Sequence, residues 1–115
     1  MTIRVKRVYD PPAKADALRI LVERLWPRGM TKDAAAVDHW LKNIAPSPAL
    51  RQWYGHDPAK WREFQRRYRA ELAAQSDEVE ALRALCATGA VTFVYAAKDE
   101  TRNSAAVLKA YLETL

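Results

Sequence analysis

Two runs of apolar residues do most to limit the folds that this chain can adopt. Ile20, Leu21 and Val22 follow one another without a polar residue, and the segment 91–97 reads Val-Thr-Phe-Val-Tyr-Ala-Ala. Continuous apolar runs of this length are typical of strands that are covered on both faces, as in parallel sheets. We therefore expect strands over residues 18–25 and over residues 91–97. A further strand is expected over residues 3–9, where apolar and basic residues alternate.

Helical patterns fill most of the sequence between residues 25 and 91. The clearest helix covers residues 58–75, where Asp57 is a good N-cap and Pro58 suits the first helical position. A helix is also expected from Ser76 onwards, and another at the C-terminus. An earlier one, capped by Thr31 or Asp33, is expected to place four apolar residues on one face, namely Val37, Trp40, Leu41 and Ile44.

These elements predict an α/β fold. Helices connect the strand within 18–25 to the strand over 91–97, so we expect these two strands to be parallel. The prediction is a small, mainly parallel three-stranded sheet packed with about four or five helices. Residues 1–115 are expected to form a single compact domain, because this length suits one hydrophobic core.

Composition and charge exclude several classes of protein. The N-terminus has no apolar stretch typical of a signal peptide, and no segment has the length of a membrane-spanning helix. Cys86 is the single cysteine, so no internal disulfide is possible, and we expect a cytoplasmic protein. The net charge of +5 would attract anions. Acidic residues interrupt the basic ones, so any nucleic-acid binding is expected to be weak.

Polar clusters follow two of the predicted strands. Glu23 and Arg24, with Arg28 nearby, follow the strand within 18–25, and a second cluster follows the strand over 91–97, namely Lys98, Asp99, Arg102 and Asn103. Ligands usually bind beyond the carboxyl ends of parallel strands, so these clusters predict an anion site. Arg24, Arg28, Lys98 and Asn103 are the candidate ligand-binding residues. Asp99 or Glu23 would act as a general base or orienting carboxylate.

Structural roles explain the same residues as well. Arg24 and Asp99 are expected to lie together as an ion pair, with Asn103 capping the last helix. His56 is a candidate proton carrier or a turn residue that bonds to the backbone. Cys86 lies on an apolar helical face with Val79, Leu82 and Leu85, which favours a buried role. No zinc-ligand spacing and no phosphate-binding glycine loop is present, so no metal or cofactor is expected.

Ordered motifs along nearly the whole chain resemble the YeaO-like branch of the DUF488 family. The most specific is Arg24-Leu25-Trp26-Pro27-Arg28-Gly29, and others are Arg7-Val8-Tyr9-Asp10, Gly55-His56-Asp57-Pro58 and Tyr95-Ala96-Ala97-Lys98-Asp99. The resemblance implies a compact α/β fold but no accepted activity. The chain departs from the family pattern at Ala17, where Gly is expected, at Glu23, where Asp is usual, at Arg102, where His is expected, and at Ser104.

The leading functional hypothesis is an enzyme-like pocket for a small anionic ligand, such as a nucleotide or a phosphorylated metabolite. The sequence identifies no reaction type, pathway or oligomeric state. One alternative is a nucleic-acid-binding module that uses Arg4, Lys6, Arg7 and the arginines of the helix over 58–75. A partner-binding or regulatory protein without catalysis is the other alternative.

Overall fold

The sheet contains four strands, and every neighbouring pair in it is parallel. The computed structural model describes residues 1–115, and its strands are β1 (Ile3–Arg7), β2 (Leu18–Leu21), β3 (His39–Trp40) and β4 (Val91–Tyr95). Their order across the sheet is β1-β4-β2-β3, so β4 lies between β1 and β2. The predicted parallel arrangement of β2 and β4 is confirmed, with Ile20 opposite Phe93. The predicted count of three strands is wrong, because β3 adds a fourth.

Five α-helices accompany the sheet, as predicted. They are α1 (Lys32–Ala35), α2 (Pro48–Tyr54), α3 (Trp61–Ala73), α4 (Ser76–Ala87) and α5 (Ser104–Glu113). Short 3-10 turns cover Lys14–Asp16, Lys42–Ile44 and Pro58–Lys60, and the last of these leads directly into α3. Asp57 caps the turn before α3 with its side chain, as expected from the sequence. No helix combines the length and the apolar character that spanning a membrane requires.

Strand β3 replaces the second half of a predicted helix. The helix begins as predicted, with the Thr31 hydroxyl capping α1, but it ends at Ala36, whose φ of 50° is left-handed. The indole N–H of Trp40 donates to the Glu23 carbonyl oxygen at 2.7 Å, and its ring meets Trp26 edge-on. Tertiary contacts therefore outweigh helical periodicity here. The predicted common face is split: Val37 and Trp40 lie on one side of the sheet, and Leu41 and Ile44 on the other.

Helices α2 to α5 and one face of the sheet form the main core. Phe64, Tyr68 and Leu72 of α3 are buried there, and Trp61 packs against them. Cys86 of α4 is also buried, as predicted, and burial raises the pKa of its thiol. The opposite face carries a smaller apolar cluster, formed by Val8, Leu21, Ala35 and Val94.

A buried ion pair lies near the amino end of β2. Arg19 donates to Asp16 at 2.7 Å and to the carbonyl oxygen of Ala35 at 2.7 and 3.0 Å. Burial alone would raise the pKa of Asp16, but hydrogen bonds from the Ala13 N–H, Lys6 and Arg19 lower it overall. Buried charges require such pairing, so this network fixes the turn that leads into β2.

Ala17, in the same turn, adopts a backbone conformation that favours glycine. Its φ is 54° and its ψ is −122°, a region that side chains with a Cβ rarely enter. The family pattern expects Gly at this position, and the structure supplies the physical reason. The chain therefore retains backbone strain at the amino end of β2, far from the carboxyl ends of the strands.

We predict that Ala17→Gly raises the free energy of unfolding by about 1 kcal/mol, because glycine relieves this strain. The matched control is Ala13→Gly, at an exposed position with an ordinary φ of −134°. The control should be slightly destabilised, since glycine only adds freedom to the unfolded chain there. Urea denaturation of the three proteins gives the comparison, and a loss of stability in Ala17→Gly would contradict the prediction.

Candidate functional site

A pocket of about 170 Å³ lies beyond the carboxyl ends of β2 and β4. Glu23 and Arg24 follow β2, and Ala96 and Ala97 follow β4, so the sheet ends form one side of it. The other sides come from the segment before α2, from α2 and α3, and from the residues around the start of α5. This is the position at which open parallel sheets bind ligands, and it is where the sequence predicted a site.

Three arginines from three different segments line the pocket. Arg24 follows β2, Arg51 lies on α2, and Arg102 precedes α5. Arg51 and Arg102 are exposed. Arg102 pairs with the Asp99 carboxylate at 3.5 Å, whereas no protein group accepts a hydrogen bond from the Arg51 guanidinium. Guanidinium groups present several donors in a planar fork that suits phosphate and carboxylate oxygens. The rim of the pocket therefore carries positive charge, and the Arg51 guanidinium has hydrogen-bond donors without an acceptor in the protein.

Arg24 has a structural role as well as a place in the pocket. Its Nε donates to the Pro46 carbonyl oxygen at 3.2 Å, and its Nη2 donates to that of Ala45 at 3.0 Å. Its Nη1 makes no hydrogen bond in the protein. One edge of the guanidinium thus holds the segment before α2 against the sheet, while Nη1 is unpaired.

The segment before α2 is held from the other side by α3. The buried Tyr68 hydroxyl donates to the Ile44 carbonyl oxygen at 2.6 Å. Glu71 accepts from the Ser47 N–H at 2.8 Å and from its hydroxyl at 2.5 Å. The same hydroxyl accepts from the Leu50 N–H and so caps α2. Side chains from β2 and α3 together determine where α2 begins, and with it the position of Arg51.

Glu23 is the single carboxylate that lines the pocket. Its Oε1 accepts from the Ala96 N–H at 3.1 Å, and its Oε2 makes no hydrogen bond. Burial raises the pKa of Glu23 above its ordinary value, although the Ala96 N–H, Arg51 and His56 act in the opposite direction. A carboxyl group with a raised pKa, in a pocket and with a free oxygen, is typical of functional sites.

Aromatic side chains form the wall opposite the sheet ends. Tyr54 is only 7% exposed and stacks on Phe64 with ring centroids 4.4 Å apart. Its hydroxyl makes no hydrogen bond with the protein, and burial raises its pKa. His56 lines the pocket nearby, with an exposed side chain and a left-handed φ of 58°. The Tyr54 hydroxyl has no protein partner and is not fully enclosed, so it can still form a hydrogen bond in the pocket.

The start of α5 closes the remaining side. Asn103 caps the helix by accepting from the Ala106 N–H at 2.9 Å, and its amide donates to the Asp99 carbonyl oxygen at 3.1 Å. Asn103 therefore has the structural capping role that the sequence also allowed. The Ser104 hydroxyl and the N–H groups of Ser104 and Ala105 have no protein partner, and Ser104 adds donors to the pocket beside Arg102.

Four of the seven predicted site residues line this pocket, namely Glu23, Arg24, His56 and Asn103. Arg28 is exposed and outside it, and Lys98 and Asp99 lie in the adjoining loop without lining it. The predicted Arg24–Asp99 ion pair does not form. Asp99 instead accepts from the N–H groups of Thr101 and Arg102, which lower its pKa, while Arg24 is satisfied by carbonyl oxygens.

Two important residues of the pocket, Arg51 and Tyr54, were absent from the predicted set. Both come from α2, where their spacing of three residues places them on one helical face. Nothing in the sequence indicated that this segment would contact the strand ends. One sequence feature could have identified them: this segment directly precedes the Gly55-His56-Asp57-Pro58 motif, which contains the candidate residue His56.

Comparison with known proteins gives the family of the chain. Residues 2–115 match a family model described as the inactive DUF488-N3 subclade. The chain belongs to this DUF488 subclade. It is 42% identical to the uncharacterised protein YeaO of Escherichia coli strain K12, over the full length of both chains. It is also 43% identical over 106 residues to the uncharacterised protein Rv3073c of Mycobacterium tuberculosis, covering 92% of this chain and 89% of that protein.

The YeaO-like resemblance found in the sequence is thus confirmed. A Mycobacterium bovis protein, Mb3100c, is likewise uncharacterised and is 43% identical over the same extent. No solved structure matches the chain. This DUF488 member contains no group of three or more His, Cys, Asp or Glu side chains arranged to hold a metal ion.

We predict that Glu71→Ala lowers the free energy of unfolding by about 2 kcal/mol, because hydrogen bonds to a charged group are among the stronger ones. Ser47 would lose both of its bonds to the carboxylate. The control is Glu80→Ala, which removes an exposed carboxylate that pairs only with Arg83 on the surface of α4. The control should change stability little. Equal denaturation midpoints for the two variants would show that the Ser47–Glu71 contact does not hold the segment.

Proposed function

We propose that the pocket binds a small phosphate-bearing ligand and that it does so without turnover. The observation that carries this proposal is the convergence of Arg24, Arg51 and Arg102 on one pocket at the carboxyl end of the sheet. The unpartnered Tyr54 hydroxyl and the free N–H groups of α5 add neutral donors on the same side. Together they supply charge and directional hydrogen bonds for an anion.

The size of the pocket supports a small anion. Pockets for drug-sized ligands usually measure roughly 300–1,000 Å³, whereas this one measures about 170 Å³. A phosphate group with a few attached atoms suits this space, and the remainder of a nucleotide would extend past the rim. A phosphate monoester therefore fits the site better than a wholly enclosed larger ligand.

Binding without catalysis is favoured by three features. The family is described as inactive, and Arg102 stands where the family pattern suggests histidine. Asp99, one candidate base, is occupied by backbone N–H groups, and its pKa is lowered. A base with a lowered pKa accepts protons poorly near neutral pH. Asp99 is therefore poorly suited to proton transfer, and it also lies outside the pocket lining.

We predict that inorganic phosphate binds the full chain and that Arg51→Gln weakens this binding about tenfold. The Arg51 guanidinium has no hydrogen-bond partner in the protein, so its loss removes charge-assisted bonds to the ligand and not to the fold. Isothermal titration calorimetry at constant ionic strength measures both affinities.

The matched control is Arg62→Gln, an exposed arginine of α3 outside the pocket. It changes the net charge equally, so it should leave phosphate affinity nearly unaltered. If Arg51→Gln and Arg62→Gln weakened phosphate binding equally, the effect would come from overall charge. That result would contradict phosphate binding in the pocket. Phosphorus NMR of phosphate monoesters incubated with the protein tests turnover, and released phosphate would contradict the non-catalytic part.

Nucleic-acid binding remains the second candidate, because Arg62, Arg66 and Arg69 are all exposed on α3. Glu63 offsets this charge by pairing with Arg66 at 2.7 Å and with Arg67 at 3.1 Å, and its pKa is lowered to about 2. A broad surface of one sign is therefore interrupted. We expect duplex DNA to bind weakly, with an affinity that falls steeply as salt rises in a gel-shift titration. Salt-resistant, sequence-selective binding would favour this candidate over the anion pocket.

A further inference from the structure

Glu23 does not belong in a pocket that binds a bare anion. Its carboxylate faces the same space as Arg24, Arg51 and Arg102, and an ionised carboxylate repels phosphate. It forms no salt bridge with any of these arginines, so it is not there to neutralise them. Its presence beside three cations needs a separate explanation.

The fold does not require a carboxylate at this position. The single hydrogen bond that Glu23 makes, from the Ala96 N–H to Oε1, is one that a glutamine could also accept. Burial raises the pKa of Glu23, which means that folding disfavours its ionised form. The carboxyl group is therefore tolerated by the fold, and its free Oε2 is left as an acceptor in a pocket that otherwise presents donors.

The two rim arginines and the Glu23 carboxylate differ in their exposure to solvent. Arg51 and Arg102 are exposed and lie at the rim, whereas Glu23 is partly buried at the sheet end and is tied to the residue after β4. The Tyr54 hydroxyl has no protein partner and is a second polar group of the pocket wall. A ligand that contacts both the rim arginines and Glu23 needs an anionic group for the arginines and a hydrogen-bond donor for the carboxylate.

We propose that the ligand is a phosphate monoester of a polyhydroxy compound, with its phosphate at Arg51 and Arg102 and a hydroxyl group donating to Glu23. This inference rests on the proposed function and names its ligand class. A hydroxyl fits better than an ammonium group, because three arginines line the same pocket and would repel a further cation. The apolar side of the pocket, which includes Phe64, Ala45 and Ala97, contacts the carbon skeleton.

The test compares two esters that share phosphate charge and carbon number. Glycerol 3-phosphate carries two hydroxyl groups that propyl phosphate lacks, and both are titrated into the full chain by calorimetry. We expect glycerol 3-phosphate to bind about tenfold more tightly, as one hydrogen bond to a charged acceptor allows. Equal affinities would overturn the inference while leaving anion binding intact, whereas failure of phosphate and both esters to bind would overturn the proposed function itself.

Two Glu23 variants assign the preference to this residue. Glu23→Gln keeps the bond to Ala96 and a neutral acceptor, so the preference should fall to about threefold; Glu23→Met removes every acceptor and should abolish it. Both variants should bind propyl phosphate more tightly, since they remove a negative charge. Arg51→Gln should weaken both esters by a similar factor and keep their ratio. A tenfold preference retained in both Glu23 variants would overturn the role of Glu23.

A second ligand pair tests the chemistry of the inner donor. Phosphoethanolamine and ethyl phosphate differ by an ammonium group in place of a hydrogen. We expect phosphoethanolamine to bind no more tightly than ethyl phosphate, because the arginines oppose its positive charge. A gain for phosphoethanolamine larger than that of glycerol 3-phosphate over propyl phosphate would overturn the assignment of a hydroxyl.

Discussion

The hydrogen bonds that hold residues 44–47 are the contacts on which the pocket depends. Three successive carbonyl oxygens accept from side chains, that of Ile44 from Tyr68 and those of Ala45 and Pro46 from Arg24. Glu71 then binds Ser47, which caps α2. Because α2 contributes to the pocket wall, these bonds also position its two lining residues, Arg51 and Tyr54. Arg24 is thus a support of the site as much as a member of it.

Parallel topology explains why the polar groups meet at one place. Strand β4 lies between β1 and β2, so all three end at the same side of the sheet. Arg7, at the end of β1, donates to the Ala97 carbonyl oxygen at 2.9 Å and so ties the outer strand to the loop after β4. The amino ends carry the buried Arg19–Asp16 pair instead. The charged groups at the amino ends are thus paired with one another, whereas at the carboxyl ends Arg7 and Arg24 bond to backbone carbonyl oxygens around the pocket.

The sequence was sufficient to predict those features of the fold that depend on local residue patterns and on the direction of the strands. Apolar runs predicted β2 and β4, and the helical crossover predicted that Glu23 and Arg24 share an end with the loop after β4. It was insufficient where a tertiary contact decides. Trp40 leaves a helical pattern because its indole binds the Glu23 carbonyl oxygen. The Arg24–Asp99 pair was a reasonable expectation, but no residue pattern reveals that backbone carbonyls would satisfy the guanidinium.

Left-handed backbone conformations at residues other than glycine differ in their relation to the pocket. Three residues other than glycine have a left-handed φ, namely Ala17, Ala36 and His56. Ala17 and Ala36 present only a methyl group, so nothing about their side chains compensates for the conformation. His56 lines the pocket and follows Gly55, which is also left-handed, so the turn already places its side chain where a ligand would meet it. The ionised form of Glu23 is disfavoured by burial. The stability of the fold alone therefore explains neither the conformation of His56 nor the carboxylate of Glu23. Local choices that conflict with stability are expected where a site binds something, and here both line the same pocket.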